Sequence, residues 1–458
     1  MSRSAWPDHV TVWRWHFYAG LLCIPFVLWL AATGSIYLFK PQIDAWSDRP
    51  YENLELPGDA ASPSAQVSAA LAAVPGSVLN EYELPRSPHS AVQVLAGRGT
   101  RLERVYIHPV TLRVLQVVDE DSRLTNVVFR LHGELLAGDL GSMVVETAAS
   151  WTIIMLVTGL YLWWPRGASG FAGVIYPRLH RNGRLFWRDV HAVTGFWVSF
   201  FALFLLITGL PWAKSWGGML EQVRGWSSAA PVRQDWTIGR SSELEQRRLA
   251  LQTTDQHADH RHGAGSAAAD PGFAPDYHAL DTLVPLVRAQ SLQPPVLIAP
   301  PSLAHPAWTA KSDTQNRPLR AELTLDGARP AVLSRQDFSE RPLLDRIIGV
   351  GVAAHEGQLF APLNQLLGLF TAVSLWLVCI SAVIMWWRRR PAGALGAPAR
   401  PEATRGVWLG IAVLIVLFAA VLPLFGATLL VVLGVEWTVL RRWPAAQSFL
   451  GLDPAAKS

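Results

Sequence analysis

The chain has 458 residues, of which 50% are hydrophobic and only 16% charged, with a formal net charge of +4 and 21 tryptophans. Soluble proteins of this length carry charge at nearer a quarter of their positions, so an ordinary water-soluble globule is excluded. The basic excess does not indicate nucleic-acid binding, because it is concentrated in short segments beside long uncharged runs.

In chain order, the first such run covers residues 17–39 within a span placed at 12–40. About 20 apolar residues suffice for a helix to cross the hydrocarbon core. The run is longer than a signal-peptide core, so it reads as an uncleaved anchor. Residues 41–130 then form a polar segment, expected to be a small α+β module. It has an amphipathic helix over 64–74 after Pro63 and strand-like alternation over 91–95, 105–108 and 114–118. A second span follows at 131–166 with an outer extension, uncharged over 147–164.

The loop 167–190, with Arg166 just before it, carries Arg178, Arg181, Arg184 and Arg188; Arg388, Arg389 and Arg390 close a later span. This positive-inside pattern places those loops and the N-terminus in the cytoplasm and both long polar segments outside. The third span is placed at 191–213 and the second outer module at 214–350. That module includes a flexible insertion at 225–276, rich in Ala, Ser, Gly, Gln and Asp. A helix over 279–289 and a hairpin turning at Asp326-Gly327 make it a second α+β unit. The fourth span, with its outer extension, covers 351–390, and a Pro/Ala/Gly linker covers 391–406. The apolar stretch 407–442 has Pro423 and Gly426 near its middle and reads as a helical hairpin, with one tilted span as the competing reading.

Four histidines organise these spans. His16 precedes Thr33-Gly34, and His191 precedes Thr208-Gly209, at one spacing (34 − 16 = 209 − 191 = 18). His132 precedes Trp163-Trp164, and His355 precedes Trp386-Trp387, at another (163 − 132 = 386 − 355 = 31). The match implies a duplicated unit of span, outer module and span. His16 and His191 begin outward-going helices on the cytoplasmic side; His132 and His355 begin inward-going helices on the outer side. Paired imidazoles in a bundle interior suit a haem iron, since neutral imidazole is far cheaper to bury than a charge. The predicted architecture is a polytopic α-helical membrane protein. It comprises a four-helix haem-binding bundle, two small periplasmic α+β modules and a C-terminal helical hairpin.

Arg14 and Arg188, just before their histidines, are candidate partners for haem propionates. Gly20 and Gly195, four residues after them, leave one helix face without a side chain, as a flat macrocycle requires. The Thr-Gly pairs read as sites of close helix packing. If residues 132–163 were wholly helical they would extend about 46 Å, putting the outer histidines beyond the lipid core unless Gly138 and Gly141 break the helix. The Trp pairs read as interfacial anchors, and a histidine left without a cofactor would instead cap a helix or bond a carbonyl. His257, His260 and His262 are a weaker metal-binding candidate inside the insertion, and His180 a solvated loop residue. Cys23 and Cys379 lie in apolar runs, and the chain has neither CxxC nor CxxCH, which excludes a zinc framework and covalent c-type haem. No P-loop, dinucleotide fingerprint or nucleophilic triad is present.

Several of these motifs resemble the PepSY-associated transmembrane family. They are Arg14-Trp15-His16 with Gly20 and Thr33-Gly34, Leu131-His132-Gly133-Glu134-Leu135-Leu136-Ala137-Gly138, Thr158-Gly159 through Pro165-Arg166, and Asp189-Val190-His191 with Gly195 and Thr208-Gly209. The similarity covers about 12–390 without the insertion. It implies that the outer segments are PepSY modules and that His16, His132, His191 and His355 are axial ligands of two non-covalent b-type haems. It further implies a bacterial inner-membrane oxidoreductase that reduces a periplasmic ferric siderophore, with a cytoplasmic or quinol electron donor. The chain departs from the pattern at Ala353-Ala354-His355-Glu356-Gly357 and at Ser381-Ala382, where Leu-His and Thr-Gly would be expected. The alternatives are a non-redox protein that binds or regulates a periplasmic partner, and a siderophore permease component; for the latter the broken helices and intramembrane charges of a transport path are missing.

Overall fold

The computed structural model describes residues 8–98, 101–165, 170–180, 182–227, 276–301, 306–398 and 409–452. In chain order the helices are α1 (His9–Tyr37), α2 (Lys40–Asp48), α3 (Pro63–Ala73), α4 (Leu124–Glu134), α5 (Gly138–Trp163), α6 (Arg184–Gly209) and α7 (Lys214–Ser227). They continue as α8 (Ala279–Ala289), α9 (Leu343–His355), α10 (Leu363–Arg389), α11 (Leu409–Val421), α12 (Pro423–Thr438) and α13 (Pro444–Leu450). The strands are β1 (Val78–Glu83), β2 (Val92–Arg98), β3 (Arg101–Ile107), β4 (Val114–Asp119), β5 (Val296–Ala299), β6 (Trp308–Ser312), β7 (Ala321–Asp326) and β8 (Ala331–Asp337). They divide into a helical unit (Met1–Leu38, Val128–Arg233, Gln365–Ser458) and a sheet unit (Phe39–Val127, Gln234–Asn364).

The helical unit is that of a multi-pass membrane protein. Among the described residues, five helices are long and apolar enough to cross a bilayer: His9–Tyr37, Gly138–Trp163, Arg184–Trp212, Leu363–Arg389 and Pro423–Arg442. At ~1.5 Å per residue, the 26 residues of α5 extend about 39 Å, more than the ~30 Å hydrocarbon core. Cys23 and Val27 of α1 pack with Cys379 and Leu375 of α10 and with Trp151 and Met155 of α5. Small side chains admit close approach here: a Cβ on Gly368 would meet the Leu38 side chain at 2.8 Å, beside the Gln365 amide that donates to the Leu38 carbonyl at 2.8 Å.

The last apolar stretch is two helices rather than one continuous helix. Leu422 leaves helical geometry between α11 and α12 (φ −120°, ψ 81°), and a Cβ on Gly426 would lie 3.0 Å from that of Ala419. The 13 residues of α11 cover only about 20 Å, so α12 is the half long enough to span. Leu422 and Phe425 pack on Ile153 of α5 and on Leu210, and Trp151 donates to Thr428 Oγ1 at 2.9 Å.

The sheet unit is one eight-stranded antiparallel sheet in the order β4-β3-β2-β1-β5-β6-β7-β8. The two expected modules are therefore joined rather than separate. β1 pairs with β5 (Tyr82 opposite Ile298, Glu83 opposite Leu297), which closes both four-stranded halves into a continuous ladder and removes an exposed edge from each. Alternate residues such as Val92, Val94, Val105, Ile107, Ile298, Ala310, Leu323 and Leu325 bury against α3 and α8. The two helices are themselves joined: Asp281 of α8 accepts from the Ser64 backbone N–H at 2.8 Å and from its hydroxyl at 2.7 Å, in the first turn of α3. The opposite face buries a charged group in which Arg104 donates to Glu83 (2.5 Å), Gln93 (2.6 Å) and Glu120 (2.7 Å).

Three further boundaries move. The helix through 131–166 is not continuous, because Leu135, Leu136 and Gly138 all adopt positive φ and separate α4 from α5. The fourth span breaks likewise, with Gly357 at φ 75° between α9 and α10, so neither outer extension forms one rod with its span. Residues 214–227, expected to open the second outer module, form α7 in the helical unit, where Glu146 of α5 accepts from the Ser215 N–H at 2.8 Å. Most of the insertion 225–276, with His257, His260 and His262, lies outside the described residues, as do Arg166, Arg181 and residues 399–406 of the linker.

Candidate functional site

His16 and His191 are each the eighth residue of their helices (16 − 9 + 1 = 191 − 184 + 1 = 8). The entry of α1 is set by Asp8, whose side chain accepts from the Thr11 N–H at 2.8 Å. The entry of α6 is set by the fully buried carboxylate of Asp189. It accepts from Arg178 Nε at 2.6 Å and Nη2 at 2.9 Å, and from Arg188 Nη2 at 2.6 Å. This double guanidinium clamp ties the basic loop to a helix turn two residues before His191.

The structure brings these two histidines together. Their ring centroids are 6.4 Å apart and their planes lie at 78°. Each imidazole is anchored on its far side by a returning helix. His16 Nδ1 lies 3.1 Å from the Met155 carbonyl and 3.2 Å from Thr158 Oγ1 on α5. His191 Nδ1 lies 3.0 Å from the Val378 carbonyl and 3.3 Å from Ser381 Oγ on α10. Carbonyl and hydroxyl stand three residues apart in both cases (158 − 155 = 381 − 378 = 3), so the duplicated sequence yields a duplicated anchor. Four helices thus meet at one level.

Around the pair, Gly195 has no neighbour within 4 Å of where a Cβ would stand, and Gly20 only the Met155 sulfur at 3.9 Å. The open face expected at these glycines is present. The two arginines are engaged elsewhere. Arg14 is buried, donating to the Pro398 carbonyl and, at 3.3 Å, to the Tyr18 hydroxyl; Arg188 is half exposed and bound to Asp189. Arg14 thereby fixes the linker against the start of α1, while Tyr18 donates to the Leu450 carbonyl at 2.6 Å.

His132 occupies the last turn of α4, with Nδ1 2.9 Å from Thr33 Oγ1 and its ring against Gly34. Trp29 Nε1 donates to the Leu131 carbonyl at 3.0 Å and steadies the same turn. His355 is the last residue of α9, in the sheet unit, followed by Glu356, whose carboxylate accepts from Arg317 at 2.5 Å. His180 is exposed. Among the described residues no group of three or more His, Cys, Asp or Glu is placed to hold a metal ion. Trp163 and Trp386 do more than anchor at an interface, donating to the Val174 carbonyl at 2.9 Å and the Leu395 carbonyl at 2.8 Å; Trp164 and Trp387 remain exposed.

Sequence reasoning missed Met155, Thr158, Val378, Ser381 and the Arg178–Asp189 clamp. The Thr-Gly pairs were the available signal, since each lies near the end of a span opposite a histidine. A family model described as the PepSY-associated TM region matches residues 13–389. No curated protein matches the chain.

Proposed function

This chain belongs to the PepSY-associated transmembrane family, and from that premise we propose that it is an electron-transfer protein of a bacterial inner membrane. In this reading it carries out one-electron reduction of a ferric chelate, such as a ferric siderophore, in the periplasm. The observation that carries the reading is the His16–His191 pair. Two imidazoles holding one iron between them, each with a metal–nitrogen bond of about 2 Å, would stand about 6 Å apart centre to centre. The centroid separation is 6.4 Å. Helix caps or carbonyl contacts alone would not require two imidazoles to meet at that distance.

The residues present fit a b-type haem in two further respects. Gly195 and Gly20 leave room beside the pair on the histidine faces of their helices. The Nδ1 anchors direct the second ring nitrogen of each histidine away from α5 and α10. A haem held by two imidazoles supplies a one-electron couple whose ligands stay in place in both oxidation states. His16 and His191 would hold it. From the duplicated sequence spacing alone, His132 and His355 are proposed for a second haem.

At the acceptor, Fe(III) gains one electron and becomes Fe(II), which a chelator selective for Fe(III) holds poorly, so the iron is released. The electron comes from a cytoplasmic reductant or a membrane quinol. The test is the absorbance of protein purified from haem-replete cells. A Soret band and reducible b-type peaks are expected, bleached on adding a ferric siderophore to the reduced protein. A pure, folded and colourless protein overturns the reading.

A further inference from the structure

We propose that the hydroxyl-glycine pairs on the spans, Thr158-Gly159 and Thr33-Gly34, together with Ser381, are positioning residues. They hold the ring each one touches in one orientation, and at His16 and His191 in one tautomer, with Nδ1 protonated and the Nε2 lone pair left for the iron. The inference rests on the haem reading for its purpose, but not for its geometry.

The argument is a count of protons. A hydroxyl has one proton to donate and lone pairs to accept with. The Thr158 hydroxyl lies 2.9 Å from the Ile154 carbonyl and 3.0 Å from the Met155 carbonyl, so its proton is committed to its own helix. The Thr33 hydroxyl commits its proton to the Trp29 carbonyl at 2.9 Å, and Ser381 to the Val378 carbonyl at 2.8 Å. Toward the imidazole each hydroxyl can only accept. Carbonyls also only accept, and those of Met155 and Val378 meet the same Nδ1 atoms. Nδ1 therefore carries the proton at His16 and His191, where a carbonyl meets it, and the lone pair falls on Nε2. A ligating imidazole needs this arrangement, and a hydrogen bond at the other nitrogen raises its basicity.

The glycines supply the room. A Cβ on Gly159 would lie 3.0 Å from His16 Cε1, and one on Gly34 would lie 3.2 Å from His132 Cε1. Any side chain there pushes the ring off its acceptors. A stretch that reads as a helix-packing motif is instead a socket for a histidine from another helix.

The test compares Thr158→Val, which is nearly isosteric but lacks the acceptor, with Thr158→Ser, which restores it, in the full chain. Two readouts are used: the tautomer of His16 in haem-depleted, histidine-labelled protein by nitrogen NMR, assigned with His16→Ala, and the haem affinity. Wild type and Thr158→Ser are expected to show protonated Nδ1. Thr158→Val is expected to lose part of that population and to bind haem 10–100-fold more weakly, the usual cost of losing an outer-shell partner. A His16 protonated at Nε2 in the wild type overturns the proposal, as does a Thr158→Val affinity within twofold of wild type, or a Thr158→Ser protein as impaired as Thr158→Val. If the wild type takes up no haem, the electron-transfer reading fails, and the NMR comparison still decides the tautomer.

Discussion

Replacing Gly195 by Leu separates folding from cofactor binding, because the two respond in opposite directions. In the structure nothing lies within 4 Å of a Cβ at this position, so the new side chain starts into open space. Glycine in a helix interior is about 1 kcal/mol worse than the best helix formers, so α6 gains up to about that amount. Haem binding should suffer. Gly195 is one turn beyond His191 on the same face, and an occupied space there must accommodate four extra carbons. Overpacking a filled site costs about 1–3 kcal/mol, which at 1.4 kcal/mol per factor of ten weakens binding roughly 5- to 150-fold. The assay measures thermal unfolding of the haem-depleted variant beside its haem content after titration. The expected outcome is unchanged or higher thermal stability with haem lost. Wild-type haem affinity in Gly195→Leu would show that this face of α6 looks at lipid, and the reasoning about the open space would be wrong.

Other substitutions probe the supporting structure. Arg104→Met leaves Glu83 and Glu120 buried without their cation, so the sheet unit should lose about 3–5 kcal/mol, seen as an earlier unfolding transition of the full chain; an unchanged transition would mean water relieves the cluster. Burial would push the Asp44 carboxyl up, but Lys40, Arg123 and the Thr125 hydroxyl outweigh it and hold it below its ordinary value. A lowered folded value means the stabilisation is complete above the ordinary carboxylate range and fades as pH falls below it; Asp44→Asn should flatten that acid limb of a melting-temperature profile. Asp189→Asn keeps the shape but removes the charge and turns one of the two accepting oxygens into an N–H donor, so part of the clamp on Arg178 is lost and tryptic cleavage after Arg178 should accelerate.

The spans were legible because a bilayer demands long uncharged runs, and α8 matched its expected bounds, 279–289, through its apolar spacing. The inner site was legible in part: spacing and topology brought His16 to His191, whereas their acceptors are backbone carbonyls, which every residue possesses and no sequence pattern marks. The fused sheet was hidden because β1 meets β5 across more than 200 residues of chain (297 − 83 = 214), a pairing without local signal. β1 was itself obscured, since Glu81 and Glu83 are buried by ion pairs rather than exposed as alternation suggests. The break after α4 was legible at Gly138 but not at the two leucines before it. Leu135 and Leu136 hold positive φ, a conformation their side chains disfavour and tertiary packing must impose.

The most direct measurement is the electron paramagnetic resonance of the oxidised, purified protein at low temperature. Imidazole planes at 78° should give a strongly anisotropic low-spin ferric signal, and His191→Ala should remove that component, about half of the haem signal, while the protein still folds. A high-spin signal in the wild type, a low-spin signal that survives His191→Ala unchanged, or no iron signal in haem-replete protein would contradict the pairing on which the function rests.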